Sequence, residues 1–134
     1  MTNINEEFGK NAGEIWKTLN TNGPLPESKL MQLTNLHEDE FHVAVGWLAR
    51  ENKICKNGPV YKLGDTNLAP KIGNDAGKIW KILETKGSVD IYDMASLAQI
   101  EERETYSALG WLARENKIEP KTTRIPKEYT IRRY

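Results

Sequence analysis

The residue types with the widest chemical reach stand together in His37-Glu38-Asp39-Glu40-Phe41-His42. In a His-Glu-x-x-His helix two imidazoles one turn apart bind zinc and the glutamate acts as general base. Here the histidines are five positions apart, which rotates them by about 140° around a helix and away from a shared ion. The matching stretch later in the chain, Glu101-Glu102-Arg103-Glu104-Thr105-Tyr106, has neither histidine. Cys55 is the only cysteine and lies in a β-prone run with no histidine beside it, a setting for packing rather than for a nucleophile. Glycine-rich phosphate loops are absent, and the carboxylates show no spacing that singles out an acid–base pair. The residues therefore predict no enzyme, no metal site and no cofactor.

Cations form the second group. Lys53, Lys56 and Lys62 lie in one β-prone segment, and Lys121, Arg124, Lys127, Arg132 and Arg133 crowd the C-terminal segment against Glu128 alone. Such residues could contact a phosphate backbone, with Arg124 reaching a minor groove. The same charges also protect the edge of a hairpin from unwanted strand pairing. Across the chain, 19 basic residues balance 19 acidic ones, so any basic surface is local. No apolar run approaches the roughly 18–20 residues of a membrane span, and Met1–Glu7 lacks the pattern of a signal peptide. With one cysteine and no intrachain disulfide, a reducing, cytoplasmic setting is expected.

These residues are positioned by a repeated unit. Gly-Trp-Leu-Ala-Arg-Glu-Asn-Lys-Ile occurs at Gly46–Ile54 and again at Gly110–Ile118, an offset of 64 residues that also superimposes Ala12–Lys17 on Ala76–Lys81. Each copy opens with an amphipathic helix whose apolar positions are Ala12, Ile15, Trp16 and Leu19, or Ala76, Ile79, Trp80 and Leu83. Asn22-Gly23-Pro24 or Gly87 ends it. A short second helix follows, expected to turn Leu30 and Leu33 inward, with Met94 and Leu97 in the second copy and Asp90 as N-cap. A third helix begins at His37 or Glu101, with Phe41, Ala44, Val45 and Leu48, or Thr105, Ala108, Leu109 and Leu112, facing the core. Two β-prone runs around Asn57-Gly58 then read as a hairpin. In the second copy Tyr61-Lys62-Leu63 is best matched by Tyr129-Thr130-Ile131, which makes that hairpin four residues longer.

Three helices and a hairpin, twice, make a mainly α, α+β chain of two tandem winged helix-turn-helix domains. The expected divisions are 1–64, a polar linker at 65–71, and 72–134 with the longer basic wing. The Ala-Gly-x-Ile-Trp helix followed by the Gly-Trp-Leu-Ala-Arg-Glu-Asn-Lys-Ile block resembles the small bacterial and archaeal winged helix-turn-helix domains of unknown function. That resemblance implies the fold and a tendency of single-domain members to pair, and no activity. A chain with two copies would then be its own pseudo-twofold dimer.

Two details bear on function. The third helix of such a fold commonly enters the major groove, yet here it starts His37-Glu38-Asp39-Glu40 or Glu101-Glu102-Arg103-Glu104. Carboxylates there oppose phosphate, although they also complement the helix dipole. Gly46 and Gly110 sit inside that helix, where glycine costs about 1 kcal/mol relative to alanine. The stripe of His42, Gly46, Trp47 and Arg50, with Tyr106, Gly110, Trp111 and Arg114 in the second copy, is therefore expected to pack on the other copy or on a partner. The alternative is that the tryptophans cover their own wings. Two functions follow as expectations: a DNA-associated or transcription-regulatory protein using basic wings on double-stranded DNA, or a protein-interaction module that keeps the fold without reading DNA. The second is similar, in architecture alone, to the tandem winged-helix subunits of condensin-like and endosomal-sorting complexes.

Overall fold

Each amphipathic stripe becomes a helix packed on a small sheet. The computed structural model describes residues 4–120 and 127–132. The first half contains α1 (Ile4–Asn22), β1 (Leu25–Pro26), α2 (Glu27–Thr34), α3 (Glu38–Arg50), β2 (Ile54–Asn57) and β3 (Val60–Leu63). The second contains α4 (Ala69–Lys86), β4 (Val89–Asp90), α5 (Ile91–Ala98), α6 (Glu102–Arg114), β5 (Ile118–Pro120) and β6 (Glu128–Ile131). The fold is α+β: two tandem winged helices. No helix among the described residues is long and apolar enough to cross a membrane.

Local chemistry fixes the helix ends. Gly23 and Gly87 adopt positive φ and donate their N–H groups to Leu19 and Leu83 carbonyls, closing α1 and α4. The Asp90 carboxylate accepts from Asp93 N–H at 2.9 Å and caps α5. In α3 the Glu40 carboxylate accepts from His37 N–H at 2.9 Å, and Glu104 does the same for Glu101 in α6. Some of the acids at the start of the third helix are thus occupied by capping.

The short second helices differ from expectation. Leu30 and Met94 are buried, but Leu33 and Leu97 are 47% and 50% exposed. The stripe that meets the core in α5 is Ile91, Met94, Ala95 and Ala98, and Leu97 lies about 100° away from it around the helix. Trp16 is likewise more open than an inward position requires, at 38%.

Each sheet has three antiparallel strands, in the orders β1-β3-β2 and β4-β6-β5. The two-residue strands β1 and β4, which lack any alternating pattern, are additions to the hairpins read from sequence. Leu25 pairs with Tyr61 and Val89 with Tyr129, so the two tyrosines occupy the same register. Helix α4 begins at Ala69, so the last part of the 65–71 segment is helical rather than linker. The rest is fastened to the first wing: Asn52 Oδ1 accepts from Thr66 N–H at 2.8 Å, and Asn67 Nδ2 donates to Lys56 O at 2.7 Å.

The halves have separate cores but complete each other. Ile15, Leu30, Phe41, Val45, Leu48 and Ile54 centre the first, and Ile79, Met94, Leu109, Leu112 and Ile118 the second. Ile72, from the first turn of α4, is buried in the first core. Phe8, its equivalent in α1, packs against the second. Each opening helix therefore reaches across to cover the other half.

Candidate interface between the halves and the wing cations

Helices α3 and α6 cross at their glycines. A Cβ built on Gly46 would stand 1.8 Å from the Ser107 carbonyl oxygen, and one on Gly110 would stand 1.9 Å from that of Val43. Ser107 is the 64-offset counterpart of Val43, so the contact is reciprocal, as an approximate twofold requires. Gly46, Gly110, Val43 and Ser107 are all buried. Only glycine permits backbones to approach this closely.

Aromatic and charged side chains frame the crossing with the same reciprocity. The Trp47 ring lies against Gly9 of α1 and Trp111 against Gly73 of α4. Arg114 stacks over Trp47 and Arg50 over Trp111, each guanidinium 5.6 Å from the ring centroid. Arg50 Nε is 3.2 Å from Glu115 Oε2, and Arg114 Nε is 2.9 Å from Glu51 Oε2. Both arginines are about half exposed, so each pair contributes modestly, about 0.5–1 kcal/mol. Glu51 and Glu115, which the stripe pattern does not single out, follow Gly-Trp-Leu-Ala-Arg directly in both repeats.

His42 and Tyr106 occupy equivalent positions in two flanking cavities. The cavity of about 220 Å³ is bordered by His42, Tyr61, Lys71, Asp75, Arg103 and Glu104. Its ions pair with one another: Lys71 Nζ lies 2.8 Å from Asp75 Oδ2 and 2.9 Å from Glu104 Oε2. Tyr61 Oη donates to Glu27 Oε1 at 3.0 Å. His42 is 5% exposed, and burial holds its imidazole pKa below the usual histidine value. The other cavity, about 450 Å³, is bordered by Glu7, Phe8, Asp39, Tyr92, Tyr106 and Tyr129 among others.

Among the described residues, the wing cations do not share one cavity. Lys56 borders the smaller cavity, its ammonium 5.4 Å from the Tyr61 ring centroid, whereas Lys127 borders the larger one. Lys53 lies 3.6 Å from Glu51, and Arg132 donates to Asn116. Lys62 pairs across the hairpin with Cys55 and is exposed. Lys121, Arg124 and Arg133 lie outside the described residues. His37, Asp39 and Glu40 place a ligand atom each within 4.8 Å of one another and could hold an ion, but they are largely exposed and Glu40 already serves the helix cap. His42 is not among them, in keeping with its rotation away from His37.

Comparison with curated proteins finds no match, and comparison with solved structures finds none either. The model of the winged helix-turn-helix domain family (DUF2582) matches the chain twice, over residues 1–61 and 66–132. With the duplicated sequence, the two three-stranded wings and the reciprocal helix crossing, this match shows that the chain belongs to that winged helix-turn-helix family, in tandem.

Proposed function

We propose that the chain is a non-enzymatic, DNA-associated regulatory protein of the cytoplasm that meets double-stranded DNA through its wings, by phosphate contact rather than base reading. The observation that carries this mode is the burial of the third helices. From Phe41 to Ala49 every residue but Trp47 is buried, and α6 is covered in the same way except at Tyr106 and Trp111. The middle of a helix spent on its own pseudo-symmetric partner has no free face for a major groove, which leaves only its first turn. Its most exposed end in the first half, Glu38 and Asp39, repels phosphate. The wings remain, and the C-terminal one carries five cations against one acid from Lys121 onward.

A second reading, a protein-interaction module, is supported by the separation of Lys56 from Lys127 and by the exposed Leu33 and Leu97. One experiment divides the two. Binding to a mixed-sequence duplex of about 30 base pairs is measured at several salt concentrations, for the parent and for Lys121→Ala, Arg124→Ala and Lys127→Ala. Wing contact requires affinity that falls with salt, and a slope reduced by about one for each cation removed. Absence of binding at about 50 mM salt would sink the DNA reading and leave the interaction module.

A further inference from the structure

The two interdomain cavities are related by the internal repeat, yet two cations of the smaller are replaced by acids in the larger. Lys71 of the smaller cavity corresponds to Glu7 of the larger, Arg103 to Asp39, and Asp75 to Asn11. Glu104 corresponds to Glu40, a carboxylate in both. In the smaller cavity the Lys71 ammonium sits between two carboxylates, and with Lys56 and Arg103 it balances Glu27, Asp75 and Glu104. In the larger one the residue at that place is itself an acid. Its border holds Glu7, Asp39 and Glu40 with His37, and Lys127 is the one lysine or arginine there among the described residues.

Aromatic residues complete the contrast. Phe8, Tyr92, Tyr106 and Tyr129 border the larger cavity, where the smaller one has Ile72, His42 and Tyr61. Tyrosine faces attract an organic cation through the ring quadrupole, and nearby carboxylates supply its counter-charge. The phenols there are shielded from water, as Tyr61 is in the smaller cavity. Burial first, then Asp39, Tyr92 and Glu102, push the Tyr106 phenol up to about 12. Burial, Tyr106, Asp39 and Glu7 do the same for Tyr129. About 450 Å³ is within the range of small-molecule sites.

We propose that this larger cavity, between α1 and α3 of the first half and α5, α6 and β6 of the second, binds a small organic ammonium ion. The guest takes the place that Lys71 fills in the other cavity. It contacts both halves, so its binding stabilises their mutual arrangement. The inference does not rest on the DNA reading: it shares Asp39 and Lys127 with it, but its guest is a cation rather than a phosphate backbone.

The test is an amide-resolved NMR titration of the full chain with tetramethylammonium chloride and with putrescine dihydrochloride, against sodium chloride at matched ionic strength. The expected result is saturable shifts at Phe8, Tyr92 and Tyr129 and none at their counterparts bordering the smaller cavity, Ile72 and Tyr61. Asp39→Asn combined with Glu7→Gln should weaken binding about tenfold. Tyr92→Ala, at a half-exposed position, should weaken it about two- to fivefold with the fold unchanged. Glu7→Lys, which installs the cation the other cavity carries, should abolish it while the spectrum stays that of a folded protein. Sodium chloride producing the same shifts, equal response at both cavities, or unweakened binding by folded Glu7→Lys would each overturn the proposal. So would the lack of saturation up to about 50 mM of either probe.

Discussion

The carbonyl oxygen of Ser107 occupies the space that a side chain on Gly46 would need, 1.8 Å from the Cβ position. The neighbour is backbone, so no rotamer change relieves the clash and α3 must move off α6. Gly46→Ala gains helix propensity of about 1 kcal/mol, but the separation of two buried faces outweighs it. The expected net loss is about 2–4 kcal/mol in urea unfolding, with a similar loss for Gly110→Ala. Gly77→Ala, whose Cβ meets nothing within 4 Å, should stabilise by about 0.5–1 kcal/mol. Neutral behaviour of Gly46→Ala would mean that the helices do not cross there in solution.

The exchange of Phe8 and Ile72 between cores makes a second prediction. A fragment of residues 1–64 loses Ile72 from its core and is of a size that folds alone only marginally. The same fragment keeps Gly46 and Val43, the elements of a symmetric crossing, and Phe8 to cover a second copy. It should therefore form a homodimer whose melting temperature rises with concentration. Sedimentation equilibrium showing a folded monomer at all concentrations would contradict it.

How far the sequence led is clearest at individual residues. The repeated Gly46 and Gly110 were legible because a helix retains glycine twice only for a repeated steric reason. The register of Tyr129 was legible because the hairpin ends match. Strands β1 and β4 were not, since Leu25-Pro26 and Val89-Asp90 carry no period and pair only because β3 and β6 pass beside them. Leu33 and Leu97 misled because an eight-residue helix leaves the phase of its apolar face ambiguous. The replacement of Lys71 and Arg103 by Glu7 and Asp39 was present in the aligned repeats. It acquires meaning only once α1 and α4 are seen to reach across the crossing.

Buried His42 gives a pH dependence. Its folded pKa lies below the usual 6.5, with burial the largest cause. As pH falls through 6.5 the unfolded chain takes up a proton that folded His42 resists, so the unfolded state binds more protons and stability falls. The contribution is complete above 6.5 and is lost on acidification towards the folded pKa, by at most about 1.4 kcal/mol per pH unit. Urea midpoints at about pH 7.5 and 5.5 should diverge for the parent and converge in His42→Gln. Equal pH dependence in both proteins would assign the effect to another group.

The ion pairs framing the crossing should respond to salt. A double-mutant cycle on Arg50→Ala and Glu115→Ala should give a coupling of about 0.5 kcal/mol at low ionic strength, nearly lost at about 1 M salt. The cycle on Arg114 and Glu51 should match it, because the two pairs are the same contact seen from either half. A coupling several times larger in one pair would show that the twofold is broken there.

Phosphate contact and base reading differ in their dependence on duplex sequence. With α3 and α6 buried in each other, duplexes of unrelated sequence should bind with affinities within about threefold, since one lost base contact alone would cost about 1–3 kcal/mol. Glu38→Gln with Asp39→Asn should strengthen binding slightly or leave it unchanged, by removing repulsion from the open end of α3. It should not alter sequence preference. Discrimination of tenfold or more between scrambled duplexes would require side chains at base edges. Since Phe41–Ala49 and their counterparts in α6 are largely buried, those side chains would belong to the basic C-terminal segment or to the exposed start of α6, with Arg124 and Arg103 the first to replace by lysine, which keeps the charge but loses the guanidinium fork.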